Sequence, residues 1–191
     1  MFEKWKLAKE LERAAIDLGA DKAKVISIDK VELDRSFRAM CESNACGVYG
    51  KCHMCPPDVG NIDEMMAEVR KYKYALVYQR VSELEDSYDF EGMTEAKRSF
   101  RPISQDLREF FREKGLSNAL HLSVGGCGYC PICAKRLDSP CRYPDKAMAS
   151  LEAYGVNVSR LAAVSGMKYI NGQNTVTYFG AVFFTPDSEN E

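Results

Sequence analysis

The sequence predicts a single layered α/β (or α+β) domain over residues 1–191, with a sheet of about four strands, flanking helices and two four-cysteine loops at 41–60 and 125–144. Three observations carry this prediction. Helix-spaced apolar residues alternate along the chain with short strand-like runs, 46% of the residues are hydrophobic, and all eight cysteines fall into two tight groups. Strands separated by helices favour a sheet covered by helices and leave the strand order open. The apolar content is ample for one core.

Trp5, Ala8, Leu11, Ala15 and Leu18 recur at helical spacing, and Gly19 is placed to end that helix. Lys24 to Val31 alternates, with Val25, Ile26 and Ile28 indicating a strand that runs toward the first cysteine group. Beyond that group, Asn61 followed by Glu64 resembles a capping pair, and Ile62, Met65, Met66 and Val69 form the stripe of a second helix. Tyr74 to Val81 reads as a buried strand. Met93, Ala96, Phe100, Ile103, Leu107 and Phe110 keep the helical period across Pro102, which implies one kinked helix or two that meet there. Leu120, Leu122 and Val124 make a third strand, ending at Gly125 and Gly126 in the second cysteine group. Ala147 to Tyr154 and Val158 to Val164 read as two short helices separated near Gly155, and Thr175 to Phe184 as the last strand.

Charge and hydropathy exclude several classes. A formal charge of -2 and a pI near 5.8 supply no general basic field for a phosphate backbone, so no nucleic-acid partner is expected. The stretch from Met1 to Leu18 carries Glu3, Lys4, Lys6, Lys9, Glu10, Glu12 and Arg13 and lacks the apolar centre of a secretion signal. No later run is apolar for long enough to span a bilayer, so no membrane association is expected either. These features predict a cytoplasmic protein, where thiols stay reduced and eight cysteines point to metal or redox chemistry rather than structural disulfides. No glycine-rich dinucleotide fingerprint or phosphate-binding loop is present, although that leaves flavin open.

Cys41, Cys46, Cys52 and Cys55 are spaced C-x4-C-x5-C-x2-C, and Cys127, Cys130, Cys133 and Cys141 are spaced C-x2-C-x2-C-x7-C. Three cysteines two residues apart can wrap one cubane and offer successive thiolates to different irons, with the fourth ligand from beyond the turn. The gap to Cys141 is longer than in the bacterial ferredoxin run, and Arg142 stands where that run has proline. Gly47, Gly50, Gly125, Gly126 and Gly128 would let backbone N–H groups approach sulfur, or simply make turns. Zinc is the competing metal. It usually takes two separated short pairs, whereas the first group has only one such pair, at Cys52 and Cys55. Ligands grouped by sequence and ligands interleaved between two centres both remain open.

The run from Cys41 through Gly60, the segments Gly126-Cys127 to Cys141-Arg142-Tyr143-Pro144, and Ser150 to Val158 together resemble a known family. It is an uncharacterised group of cysteine-rich predicted metal-binding proteins of anaerobic prokaryotes (domain of unknown function 2284). The resemblance implies metal binding by these cysteines and brings no reaction with it.

The resulting expectation is two iron–sulfur clusters, of the [4Fe-4S] type, held by the eight cysteines and passing electrons to or from a redox partner protein. Two other readings stay in view: an iron–sulfur enzyme with a small-molecule substrate on one cluster, and a zinc-stabilised interaction module. His53 is a candidate ligand or proton carrier whose plainer role is that of a polar loop residue. His121, alternating with Leu120 and Leu122, should face the other side of its strand as a structural histidine. Lys51, Lys135, Arg136 and Arg142 border the cysteines and can offset cluster charge or serve as solvated surface. Tyr49 and Tyr143 are candidates to shield a cluster, while Met65 and Met66 fit a helix interior. The two cysteine groups, each following a strand and preceding a helix near Pro57-Asp58 or Pro144-Asp145, are expected to emerge together at one edge of the sheet.

Overall fold

The computed structural model describes residues 2–186. Helix α1 (Phe2–Asp17) leads into strand β1 (Lys22–Ser27) through Gly19, whose φ of 106° is open to glycine and costly for other residues. A 3-10 turn (Ile28–Lys30) closes β1 at Ser27, four residues earlier than the alternation to Val31 suggests. Helix α2 (Phe37–Glu42) follows and is absent from the sequence reading, because six residues are too few for a period to register. Helix α3 (Ile62–Arg70) starts at the expected cap: the Asn61 side chain accepts from the Asp63 N–H at 2.8 Å. It begins at Ile62, not near Pro57-Asp58.

Strand β2 (Tyr74–Glu83) runs two residues beyond Val81, and helix α4 (Phe90–Glu113) is one helix with Pro102 inside it. Strand β3 (Ala119–Ser123) enters the second cysteine loop. The segment Ala147 to Tyr154 is not a helix. Its centre is the two-residue strand β4 (Ala149–Ser150), and only Glu152–Tyr154 turns, as a 3-10 segment. Alanine and leucine favour a helix there locally, but parallel pairing of Leu122 with Ala149 and Ser123 with Ser150 wins. Helix α5 (Val158–Val164) and strand β5 (Thr175–Phe184) match the reading.

The sheet therefore has five strands, in the order β1-β2-β5-β3-β4, where about four were expected. Its spine is the antiparallel pair β2 and β5, in register from Tyr74 opposite Phe184 to Glu83 opposite Thr175. Side-chain alternation splits the core into two layers. Leu76, Tyr78, Val182 and Phe184 face α1 and α4, where Leu11, Ala15, Phe100, Ile103, Leu107 and Phe111 meet them. Ala75, Val77, Ala181 and Phe183 face the other side, packing with Val69 of α3 and Val158, Leu161 and Ala162 of α5. His121 and Leu122 do project to opposite faces: Leu122 joins the second layer, while His121 stands edge-on to Phe111 at 5.5 Å between ring centroids. Among the described residues no helix is long and apolar enough to cross a membrane.

Candidate metal centre

The two cysteine groups meet, but not by leaving one edge of the sheet together as expected: β2 and β5 separate β1 from β3, which run antiparallel, and the chain after β1 crosses over, pairing Leu33 with Val156 on the way. Cys41 sits on α2, and the chain then turns through residues 43–61 without a strand, placing Cys52 and Cys55 inward at 6% and 8% exposure. Cys127 follows β3 by four residues, and Cys133 caps a 3-10 turn (Ala134–Leu137). Seven of the eight thiols (Cys41, Cys46, Cys52, Cys55, Cys127, Cys130 and Cys133) line one cleft of about 400 Å³. Cys141 joins Cys52, Cys127, Cys130 and Cys133 around a small adjoining pocket. All eight cysteines are free thiols. Among the described residues no three Cys, His, Asp or Glu side chains close on one point as a single ion requires.

Cys52 joins the groups. Its sulfur accepts hydrogen bonds from the Cys55 thiol, from the backbone N–H groups of Met54 and Cys127, and from the Cys133 thiol. The Cys55 hydrogen bond, with those further donors, holds the Cys52 thiol well below its ordinary range despite desolvation. Cys55, as donor in that pair and buried as well, is pushed up. Burial raises Cys127, while the N–H groups of Tyr129 and Met148, both donating to its sulfur, act in the opposite sense. Burial also raises Cys41. Sulfur that accepts backbone N–H groups is prepared to carry negative charge.

The glycines explain the close approach. A methyl group added at Gly126 would lie 3.5 Å from the Cys55 sulfur, so the second loop packs its bare backbone against the first. Gly125 and Gly128 adopt φ values of 59° and 58°, and a side chain at either would meet the ends of Lys97 and Arg101. These two cations, one turn apart on α4, reach across to the cysteine loops, and burial lowers the Lys97 pKa. Among the described residues the lining of the cleft holds Lys51, Lys97, Arg101 and Arg136 and no carboxylate. Sequence reasoning named Lys51 and Arg136 but missed Lys97 and Arg101. The available signal was their i, i+4 spacing beside the apolar stripe of α4.

The other candidates fall into plainer places. The His53 Nε2 lies 2.9 Å from the Ser139 carbonyl, so this side chain ties the first loop to the second. Lys135 pairs with Asp58 at 2.5 Å and does the same. Arg142 and Tyr143 border the small pocket, with Tyr143 packed on Tyr129 at 5.1 Å, and Tyr49 lines the main cleft. Met65 and Met66 lie on α3, where methyl groups built at Gly60 and Gly155 would touch their side chains. His121 is pushed down to about 3 by burial and then by Arg108, so it is neutral at physiological pH.

Fold and site together define a layered α/β protein whose distinguishing feature is a cationic cleft lined by thiols. The chain belongs to the family described as predicted metal-binding protein (DUF2284), whose model matches residues 24–184 and so covers both cysteine groups. No curated protein and no solved structure matches it.

Proposed function

We propose that the eight cysteines hold two iron–sulfur clusters, of the [4Fe-4S] type, and that the protein passes electrons to or from a partner protein. The observation that carries this reading is the cleft itself. Seven thiols spread around about 400 Å³ suit polynuclear clusters. Zinc instead draws four ligands to about 2.3 Å from one point. The donor set fits the proposed group in three further respects. With His53 turned to the Ser139 carbonyl, the ligands assigned are all thiols, backbone N–H groups point at the Cys52 and Cys127 sulfurs, and Lys51, Lys97, Arg101 and Arg136 stand ready to offset negative charge.

Bound clusters would supply one-electron redox chemistry. The chain's own part is to hold the thiolates, shield them and set their electrostatics. Cys41, Cys46, Cys52 and Cys55 would serve one centre and Cys127, Cys130, Cys133 and Cys141 the other. The contacts of Cys52 with Cys133 and with the Cys127 N–H favour short electron exchange between centres and leave an interleaved ligand set open. The partly buried cations Lys97 and Arg101 would lower the cost of adding an electron, because charges partly withdrawn from water interact more strongly than fully solvated ones.

Anaerobic reduction by dithionite followed by reoxidation, monitored by visible absorption and electron paramagnetic resonance, tests the carrier reading. The expected result is a reversible change that small molecules do not alter. A colourless protein with no reducible signal would overturn it.

A further inference from the structure

A cavity of about 290 Å³ opens between the C-terminal half of α4, the start of β3 and the 3-10 turn Pro144–Lys146. It shares no lining residue with the cysteine cleft or the small pocket that adjoins it. His121 lines it, together with Arg108 and Arg112 from α4 and Ser117 from the turn before β3. Apart from the edge-on contact with Phe111, the His121 ring is unengaged: among the described residues it makes no hydrogen bond, and neither of its nitrogens is sealed from solvent. This cavity is the open space that the ring lines. Arg108 is fixed at the same wall. Its Nη1 donates to the Asp145 carbonyl and its Nη2 to the Ala147 carbonyl at 3.0 Å, and among the described residues no carboxylate forms an ion pair with it. Burial disfavours its charge. Arg112 is exposed and pairs with Glu109, which also takes Lys146. Asp145 is the one carboxylate among the described lining residues, and it too is exposed.

A guanidinium partly withdrawn from water with no carboxylate beside it keeps an unbalanced charge, which an adjoining anion relieves. An unengaged neutral imidazole adds a ring N–H that can donate to the same anion. The Ser117 hydroxyl and the second guanidinium complete a set of donors drawn from α4, from β3 and from the turn between them. A planar carboxylate presents its two oxygens on one side, whereas a tetrahedral phosphate presents oxygens to donors on several sides. We propose that this cavity binds a phosphate group, either free or on a small ester. The size of the cavity suits a small molecule. Because Arg108 also holds the Asp145 and Ala147 carbonyls, just beyond Cys141, an occupant would steady the exit of the second cysteine group. The binding claim does not depend on which metal the cysteines hold.

Calorimetric titration of the anaerobically purified protein with inorganic phosphate, glycerol 1-phosphate and acetate at low ionic strength tests the site, with proton NMR of the histidine rings alongside. The chain has two histidines, so His53→Ala assigns the His121 signals. Phosphate should bind saturably and move the His121 signals, and the tighter of the two phosphate probes identifies the source. Acetate should bind roughly tenfold more weakly. Arg108→Gln should weaken phosphate by roughly tenfold or more, the loss of one charge-assisted contact, and Arg112→Gln by roughly threefold, as for an exposed charge. Absence of saturable phosphate binding, binding that leaves the His121 signals unmoved, acetate as tight as phosphate, or wild-type affinity in Arg108→Gln overturns the proposal. Should Arg108→Gln fail to fold, wild-type affinity in Arg112→Gln overturns it equally. None of these outcomes alters the metal content by which the cluster reading stands or falls.

Discussion

Cys52 and His53 show how neighbouring residues in one motif divide their work. The Cys52 sulfur collects donors from both loops, whereas His53 turns away to the Ser139 carbonyl. The middle cysteine of the second group should therefore matter more than the histidine. Cys130→Ser is expected to lose most iron and sulfide from its centre, because a serine oxygen is a harder, shorter ligand than thiolate, and His53→Ala to keep both. Iron and sulfide per chain in the two variants check the ranking, and equal contents would refute it. His121 makes a different prediction. Its folded pKa is about 3, and an unfolded histidine titrates near 6.5. The unfolded state thus binds the proton first, and stability falls as pH drops from about 6.5 toward 3. By pH 5 the loss is about 2 kcal/mol. His121→Phe should remove that part of the pH dependence. Urea denaturation at pH 7 and pH 5 measures it, and an unchanged difference between the two pH values would show that His121 is not responsible.

Among the elements, α4 connects the core to the cleft. One face carries Phe100, Ile103 and Leu107 into the sheet, with Phe100 stacked on Tyr78 at 5.5 Å. The adjoining positions Lys97 and Arg101 reach the cysteine loops. Phe100→Ala should cost about 3–5 kcal/mol through lost burial and a residual cavity. A chemical-denaturation midpoint unchanged by that substitution would contradict the packing. The apolar stripe of α4 was legible in the sequence because its period, from Met93 to Phe110, spans about five turns, and the cysteine groups were legible because metal-ligand spacing is local. β4 was not, since two residues gain strand character only from pairing with Leu122 and Ser123. α2 was too short to show a period. The reach of Lys97 and Arg101 into the cleft depends on how α4 crosses the loop after β3, which no local pattern records.

At the scale of the molecule, a two-layered core supports a face built from irregular chain. The regions 43–61 and 124–148 contain no β-strand and only short 3-10 turns, and most of their residues are partly or fully exposed. They offer little apolar surface to offset their ordering entropy. Thiolate bonds to metal are expected to supply that order, while the sheet and its helices keep a core of their own. Hydrogen exchange on metal-loaded and metal-stripped protein should show faster exchange in both loops after stripping and little change in β2, β5 and α4. Equal protection of the loops in both states would mean that metal does not organise them.

The most direct test of the central claim is analysis of iron, acid-labile sulfide and zinc in protein purified without oxygen. Two [4Fe-4S] clusters predict about eight iron and about eight sulfide per chain, with little zinc. Stoichiometric zinc with no labile sulfide would contradict the account.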